Sequence, residues 1–167
     1  RPMIVGGAQE RGMRAGTEPV YAIVGMVEAL KISYKNLAQE KKHITGLKDY
    51  FKESLVKEIP EIQFNGQCDD NDNSSYTVLN VCIPVSPEKG TMLLFQLDLK
   101  GIACSKGSAC QSGASNGSHV LSEILNNEDL AKPSIRFSFS SFNTKDEIDY
   151  VVKTLTTFVK PGSVLEH

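Results

Sequence analysis

Apolar residues recur at helical spacing over some forty positions between Thr17 and Pro60, and this fixes more of the fold than any other feature of the chain. Thr17-Glu18-Pro19 supplies a capping hydroxyl, an early acid and a proline near the first helical position, the local signals that start a helix. Val20, Ile23, Val24, Val27 and Leu30, then Ile44, Leu47, Phe51 and Leu55, lie three or four residues apart, and Pro60 ends the run because it can neither donate its backbone N–H nor fit the preceding turn. The pattern predicts one long helix, or two with a bend. A helix of that length suits a connector between parts of a larger molecule, and a helical hairpin satisfies the same pattern.

Beyond Pro60 the period changes. Ile62 to Phe64 and Tyr76 to Ile83 read as strands, with the Asp-, Asn- and Ser-rich run Gly66 to Ser75 as a surface loop between them. Cys68 in that loop is expected to be incidental, and Cys82 to be a small buried apolar side chain. Thr91 is expected to cap a helix through Leu93, Leu94, Leu97 and Leu99 that ends at Gly101, followed by a short strand at Ile102 to Cys104. Ser105 to Ser118 is mostly Ser, Gly, Ala and Asn, a composition that favours a mobile loop. Val120 to Leu125 reads as a short helix. In Ser134 to Ser140, Ile135, Phe137 and Phe139 alternate with Arg136, which puts Arg136 on the face away from the core. Thr144 with Glu147 three residues on forms a capping box for a last amphipathic helix carrying Ile148, Val151, Val152, Leu155 and Phe158. Strands separated by helices predict an α/β chain of two-layer α+β type: a small sheet of three to four strands covered by helices and preceded by the long helix.

Composition narrows the function. With 167 residues and 40% hydrophobic content the chain can bury one core, and 18 basic residues against 20 acidic ones leave no field to hold nucleic acid or an anionic membrane. No apolar run approaches the roughly 20 residues of a membrane span. The four cysteines and three histidines lack the close pairing of a zinc site, so no metal is expected, and free thiols fit a reducing cytoplasm. The start at Arg1-Pro2-Met3-Ile4 reads as a segment of something longer, and residues 164–167 read as a tag remnant.

Three stretches could carry chemistry. In Gly6 to Thr17, glycines, Arg11, Arg14 and a following helix N-terminus suit a single phosphate group, and arginines paired with neighbouring acids are an equal reading. In Cys104 to Ala114, Cys110 sits beside Lys106 and ahead of a helix start, neighbours that favour the thiolate, which at an ordinary pKa of about 8.5 is only a few per cent populated at neutral pH. An idle linker thiol explains the composition slightly better. Arg136, in an otherwise apolar strand, can hold a carboxylate through two parallel hydrogen bonds, while an ion pair with Asp146 or Glu147 is the simpler reading.

Together these stretches resemble the cysteine desulfurases that supply sulfur to iron–sulfur cluster assembly and nitrogenase, members of the class-V aminotransferases of pyridoxal-phosphate fold type I. The resemblance rests on Gly-Gly-x-Gln-Glu-Arg-Gly-x-Arg-x-Gly-Thr (Gly6 to Thr17), Ser-x-Gly-Ser-Ala-Cys (Ser105 to Cys110), Ser-His-Val-Leu (Ser118 to Leu121), and Arg-Phe-Ser-Phe with Asn-Thr-x-x-Glu-Ile-Asp (Arg136 to Asp149), in the family's order. Ala8 and Lys106 depart from residues common in the motifs.

The resemblance implies that Cys110 is the catalytic nucleophile that becomes a persulfide, that Arg136 grips the carboxylate of L-cysteine, and that Thr17 reaches the phosphate of pyridoxal 5'-phosphate in the partner subunit of a homodimer. It implies release of L-alanine and transfer of sulfur to an iron–sulfur scaffold or another acceptor. On this likeness residues 1–16 end a large domain, 17–59 form the connecting helix and 60–163 a C-terminal small domain. The family's Schiff-base lysine follows a histidine in a Ser-x-His-Lys context, and none of His43, His119 and His167 precedes a lysine, so this chain is expected to be inactive alone. A related lyase or transaminase of the same cofactor class, and a non-catalytic sulfur-accepting or partner-binding module, are the alternatives.

Overall fold

The computed structural model describes residues 1–106 and 118–160, and the chain divides into two compact units, Arg1–Ala38 and Gln39 onward. The stretch predicted to be helical is one helix, α1 (Val20–Glu58), followed at once by Ile59 and Pro60. Its two halves differ in environment. In the first unit Val20, Val24 and Leu30 are exposed, whereas in the second unit Ile44, Leu47, Phe51 and Leu55 are buried. No helix among the described residues is long and apolar enough to cross a membrane.

The first unit also holds the Gly6 to Thr17 stretch, folded back on itself by a parallel bridge between Ile4 and Arg14, with Ala15 N donating to Ile4 O at 3.2 Å. A tight turn at Gln9–Gly12 carries Glu10 and Arg11 at φ 51° and 58°, a left-handed conformation that costs non-glycine residues free energy.

In the second unit the three described strands form an antiparallel sheet in the order β1 (Gln63–Phe64), β2 (Val78–Cys82), β3 (Ser134–Ser138). The register sets Leu79 against Phe137, Asn80 against Arg136 and Val81 against Ile135. Successive strand residues face opposite sides, so Leu79, Val81, Ile135 and Phe137 point into one core with Leu47, Phe51 and Leu55 of α1. Ile148, Val152 and Leu155 of α6 (Lys145–Val159) complete that core. The Phe51 and Phe137 rings meet edge to face, their centroids 5.1 Å apart. Both bonds of the predicted capping box are present at the start of α6: Thr144 accepts from Glu147 N, and Glu147 accepts from Thr144 N.

Some expectations are corrected. Thr91 does not cap a helix; Ser86 does, accepting from Lys89 N ahead of Pro87 to start α2 (Pro87–Thr91). Thr91 closes α2 by donating its hydroxyl to Pro87 O, and α3 (Leu93–Leu99) follows. Gly101 does end α3, at φ 74°, with Ile102 N donating back to Leu97 O at 2.9 Å. Ile102 to Cys104 form no strand; pairing with the sheet begins one residue later, at Ser105. The expected helix after Ser118 is α4 (Leu121–Ile124), and α5 (Asn127–Ala131), capped by Asn126, was not foreseen.

Phe51 joins α1 to the sheet and is 2% exposed. Phe51→Ala is expected to lower unfolding stability by about 3–5 kcal/mol through lost burial and the cavity left behind, measured by urea unfolding followed by circular dichroism.

Candidate functional site

Arg136 lies at the centre of β3, half-buried, on the face of the sheet opposite the core. Its backbone is held from both sides. Across one edge it is in register with Asn80 of β2. Across the other, Arg136 N donates to Ser105 O at 2.6 Å and Ser105 N donates to Arg136 O at 3.1 Å. Ser105 opens the Ser-x-Gly-Ser-Ala-Cys motif, so the sheet anchors the start of the cysteine-bearing stretch at the arginine itself. Cys110 lies in residues 107–117, outside the described residues. On the far side of that stretch Ser118 Oγ accepts from Leu121 N at 3.4 Å and Ser118 O accepts from Ser122 N at 3.0 Å, starting α4.

The arginine shares its face with polar groups that the linear sequence did not single out. Asn65, 6% exposed, bonds through its backbone N–H to Asn80 O at 2.9 Å, extending the β1–β2 ladder by one residue. Its side-chain Nδ2 donates to Asn80 Oδ1 at 2.8 Å and to Ser134 Oγ at 2.9 Å. Asn65, Asn80, Arg136 and Ser105 therefore form one row across the sheet. The available sequence signal was the single polar residue in Val78-Leu79-Asn80-Val81-Cys82, and only strand register shows that it meets Arg136.

Glu147, one of the ion-pair partners considered for Arg136, accepts bonds from Thr144 N and Asn143 Nδ2, which hold its carboxyl below the ordinary range. Asp146 lies with Phe51, Ile102, Phe137 and Tyr150 around a hollow of about 530 Å³ at the end of the sheet.

Thr17, in the other unit, is exposed and stands three residues ahead of α1. The turn before it closes tightly. A Cβ on Gly6, at φ 157°, would lie 2.9 Å from Ala15 Cβ. Gly16 N donates to Gln9 Oε1 at 3.2 Å. Of the two arginines, Arg14 is engaged within the turn, paired with Glu18 and donating to Gly16 O at 2.7 Å. Arg11 is exposed. The arrangement fits a phosphate held by the Thr17 hydroxyl at the positive end of α1, with Arg14 shaping the turn.

The three described cysteines are poor nucleophiles. Burial pushes the Cys104 thiol up to about 11, with Asp98 adding to the shift. Burial also raises Cys82 and Cys68, the latter partly opposed by a bond to Asn80 and by Lys48. Cys82 is 1% exposed, as expected. Cys68 is not an incidental loop thiol: it is half-buried, donates to Asn80 O at 3.2 Å and accepts from Asn80 N at 3.3 Å.

These features define a small α+β domain in which Arg136 stands beside the root of a cysteine-bearing segment. The chain belongs to the class-V aminotransferase family, whose profile matches residues 6–151. It is similar to the cysteine desulfurase IscS of Dictyoglomus turgidum, 35% identical over 95% of this chain and 39% of that protein. It is also similar to the cysteine desulfurase IscS of Cronobacter sakazakii, 40% identical over 89% of this chain and 35% of that protein. The fold matches a NifS-like protein from Rickettsia africae with a TM-score of 0.72 and 28% identity, over 95% of this chain and 39% of that one. The chain thus spans well under half the length of these relatives.

A thiol with a pKa near 11 is ionised to only about one part in a thousand at pH 8. Brief iodoacetamide treatment of the native chain at pH 7.5, followed by peptide mass mapping, is expected to label Cys110 first and Cys104 slowest. Equal labelling of all four would contradict this order.

Proposed function

We propose that this chain carries the sulfur-accepting cysteine and the substrate-carboxylate arginine of a pyridoxal-phosphate-dependent cysteine desulfurase. The observation that carries the reading is the paired backbone of Ser105 and Arg136, which roots the segment bearing Cys110 beside a cation suited to an amino acid's carboxylate. The desulfurase names of the relatives and the order of the shared motifs support it.

Pyridoxal phosphate, held through its phosphate by Thr17 across a homodimer interface, would supply the conjugated system that activates the bond between the substrate's β-carbon and sulfur. The chain's own residues do the rest. Arg136 binds the carboxylate of L-cysteine through its planar fork and so fixes the orientation of the thiol group. The Cys110 thiolate attacks the substrate sulfur; a sulfur–sulfur bond forms as the carbon–sulfur bond breaks, and its electron pair leaves with the carbon, which takes a proton to give L-alanine. One L-cysteine and one thiol become one L-alanine and one persulfide, which passes its outer sulfur to an iron–sulfur scaffold or another acceptor thiol. The lysine and the ring-holding groups belong to the part of the relatives that this chain does not match, so the chain alone is inactive. The setting is the cytoplasm, where thiols stay reduced.

In the whole enzyme, Cys110→Ser is expected to lower alanine and sulfide release from L-cysteine by about 100-fold or more, because no thiol remains to accept the sulfur. Arg136→Lys is expected to raise KM for L-cysteine by about 10-fold or more while kcat changes less, since an ammonium cannot reproduce the two parallel bonds. Full turnover in Cys110→Ser would instead point to a lyase that needs no persulfide.

A further inference from the structure

Beyond Arg136 the edge of β3 that meets Ser105 falls open. Arg136 exchanges backbone bonds with Ser105 in both directions, and every second residue of a strand turns its N–H and C=O to the same edge, so Ser138 faces that edge too. Phe139 N, one residue further on, donates to Thr77 O on the β2 side, as the alternation requires. Antiparallel pairing of Ser105 with Arg136 makes Ala103 the residue that would answer Ser138. Among the described residues no backbone bond joins the two, and both are exposed. An unpaired donor and acceptor on an exposed edge form a template for another strand segment.

The hollow of about 530 Å³ opens beside this edge, with Ser138 and Ala103 in its wall. Its floor is aromatic: Phe51 packs edge to face on Phe137 and Phe139, with centroids 5.1 and 5.9 Å away. Its rim is braced. Tyr150 donates its hydroxyl to Lys100 O at 3.0 Å, and His43 Nε2 lies 3.2 Å from Asn143 O. Among the described residues lining it, Asp146 and Glu147 carry charge, and no lysine or arginine is present. Two carboxylates outweigh the roughly half positive charge at the start of α6, so that end of the hollow is negative. The hollow therefore suits an extended segment that lays an apolar side chain on the floor and, two residues along, a basic one. The stem of the basic side chain would lie on the phenylalanines and its charge at the carboxylates.

We propose that an extended segment of the parent enzyme, from the part outside this chain, adds to β3 at Ser138 and covers the hollow with an apolar and a basic side chain. The chain spans 39% of the Dictyoglomus turgidum relative, so most of a protein of that length is there to supply the segment. Size decides against a separate partner. Interfaces that hold two proteins together bury about 1,200–2,000 Å², and one rung of backbone bonds beside a hollow of this volume falls well short of that. A segment of the same polypeptide arrives at high effective concentration and needs far less contact to stay in place. The proposal rests on the family and on the chain's share of its relatives, and is independent of the desulfurase reading.

The test compares this chain with the whole enzyme by amide hydrogen exchange, read by mass spectrometry on overlapping peptides. The Ser138 amide is expected to exchange quickly in the chain alone and about 100-fold more slowly in the whole enzyme. Equal rates overturn the proposal. The source of the cover is read by a photocrosslinker, p-benzoylphenylalanine replacing Tyr150 in the whole enzyme. Attachment is expected within the same polypeptide, to a segment outside these 167 residues with a lysine or arginine close by. Attachment to the partner subunit, to another protein or to a residue of this chain overturns it, as does no attachment at all. If the Tyr150 variant does not fold, charge reversal decides in its place. In the whole enzyme Asp146→Lys is expected to speed exchange at Ser138 by about 10-fold, because the basic side chain is repelled from the hollow. In the chain alone the same substitution is expected to leave that rate unchanged, which separates loss of the cover from damage to the sheet. Glu128→Lys, at an exposed acid that does not line the hollow, serves as the control and is expected to change neither rate. An unaltered rate for Asp146→Lys in the whole enzyme, or the same rise in the chain alone, overturns the proposal.

Discussion

The site depends on β3 being paired on both of its edges. One edge is zipped to β2 along five residues, and the other receives Ser105 through two backbone bonds centred on Arg136. A strand with a free edge offers unpaired N–H and C=O groups and bends easily; pairing on both sides removes that freedom. Ile135 and Phe137, buried to either side of Arg136 in sequence, lock the strand to the core from below. Rotation of the strand about its own axis would pull both from the core, so the direction in which Arg136 leaves the sheet is fixed by hydrophobic burial on the opposite face. A binding side chain on such an element keeps its geometry better than one on a loop.

The same packing separates one cysteine from the rest. Cys82, Cys104 and Cys68 lie in or against the core, where burial disfavours the thiolate and holds their pKa values above the ordinary thiol. Burial thereby leaves the described sulfurs weak nucleophiles. Cys68 shows it most directly: its sulfur is bound, as donor and as acceptor, to the backbone of Asn80, the residue in register with Arg136.

Legibility in the sequence followed the range of the interactions. The capping box at Thr144 and Glu147, the stop of α3 at Gly101 and the alternation around Arg136 are each set by residues within a few positions, and each was readable. The helix start after Pro84 was misplaced for an instructive reason: Thr91 has a capping side chain, but Ser86-Pro87 places the same signal earlier with a proline at the first helical position, and the earlier signal won. Ile102 to Cys104 looked like a strand by composition, but its pairing partner is offered only at Ser105, which no local pattern could reveal. The row of Asn65 and Asn80 beside Arg136 was invisible because fifteen positions separate the two asparagines and register alone brings them together. Cys110, outside the described residues, was singled out only through its motif.

Arg14 and Arg136 show how little residue type alone decides. Both sit near glycine, serine or threonine, and both were candidates to hold an anion. Arg14 stands four residues before Glu18, close enough to pair at the start of α1, and its second nitrogen is taken by Gly16 O. Its charge is thereby satisfied within the turn. Arg136 stands instead on a strand, where the flanking positions in sequence point to the opposite face and the neighbour across β2 presents an amide whose oxygen is already bonded to Asn65. A turn brings an acid to its arginine by default, whereas on a strand the neighbours are chosen by register. The difference between the two arginines is set by the backbone geometry around each.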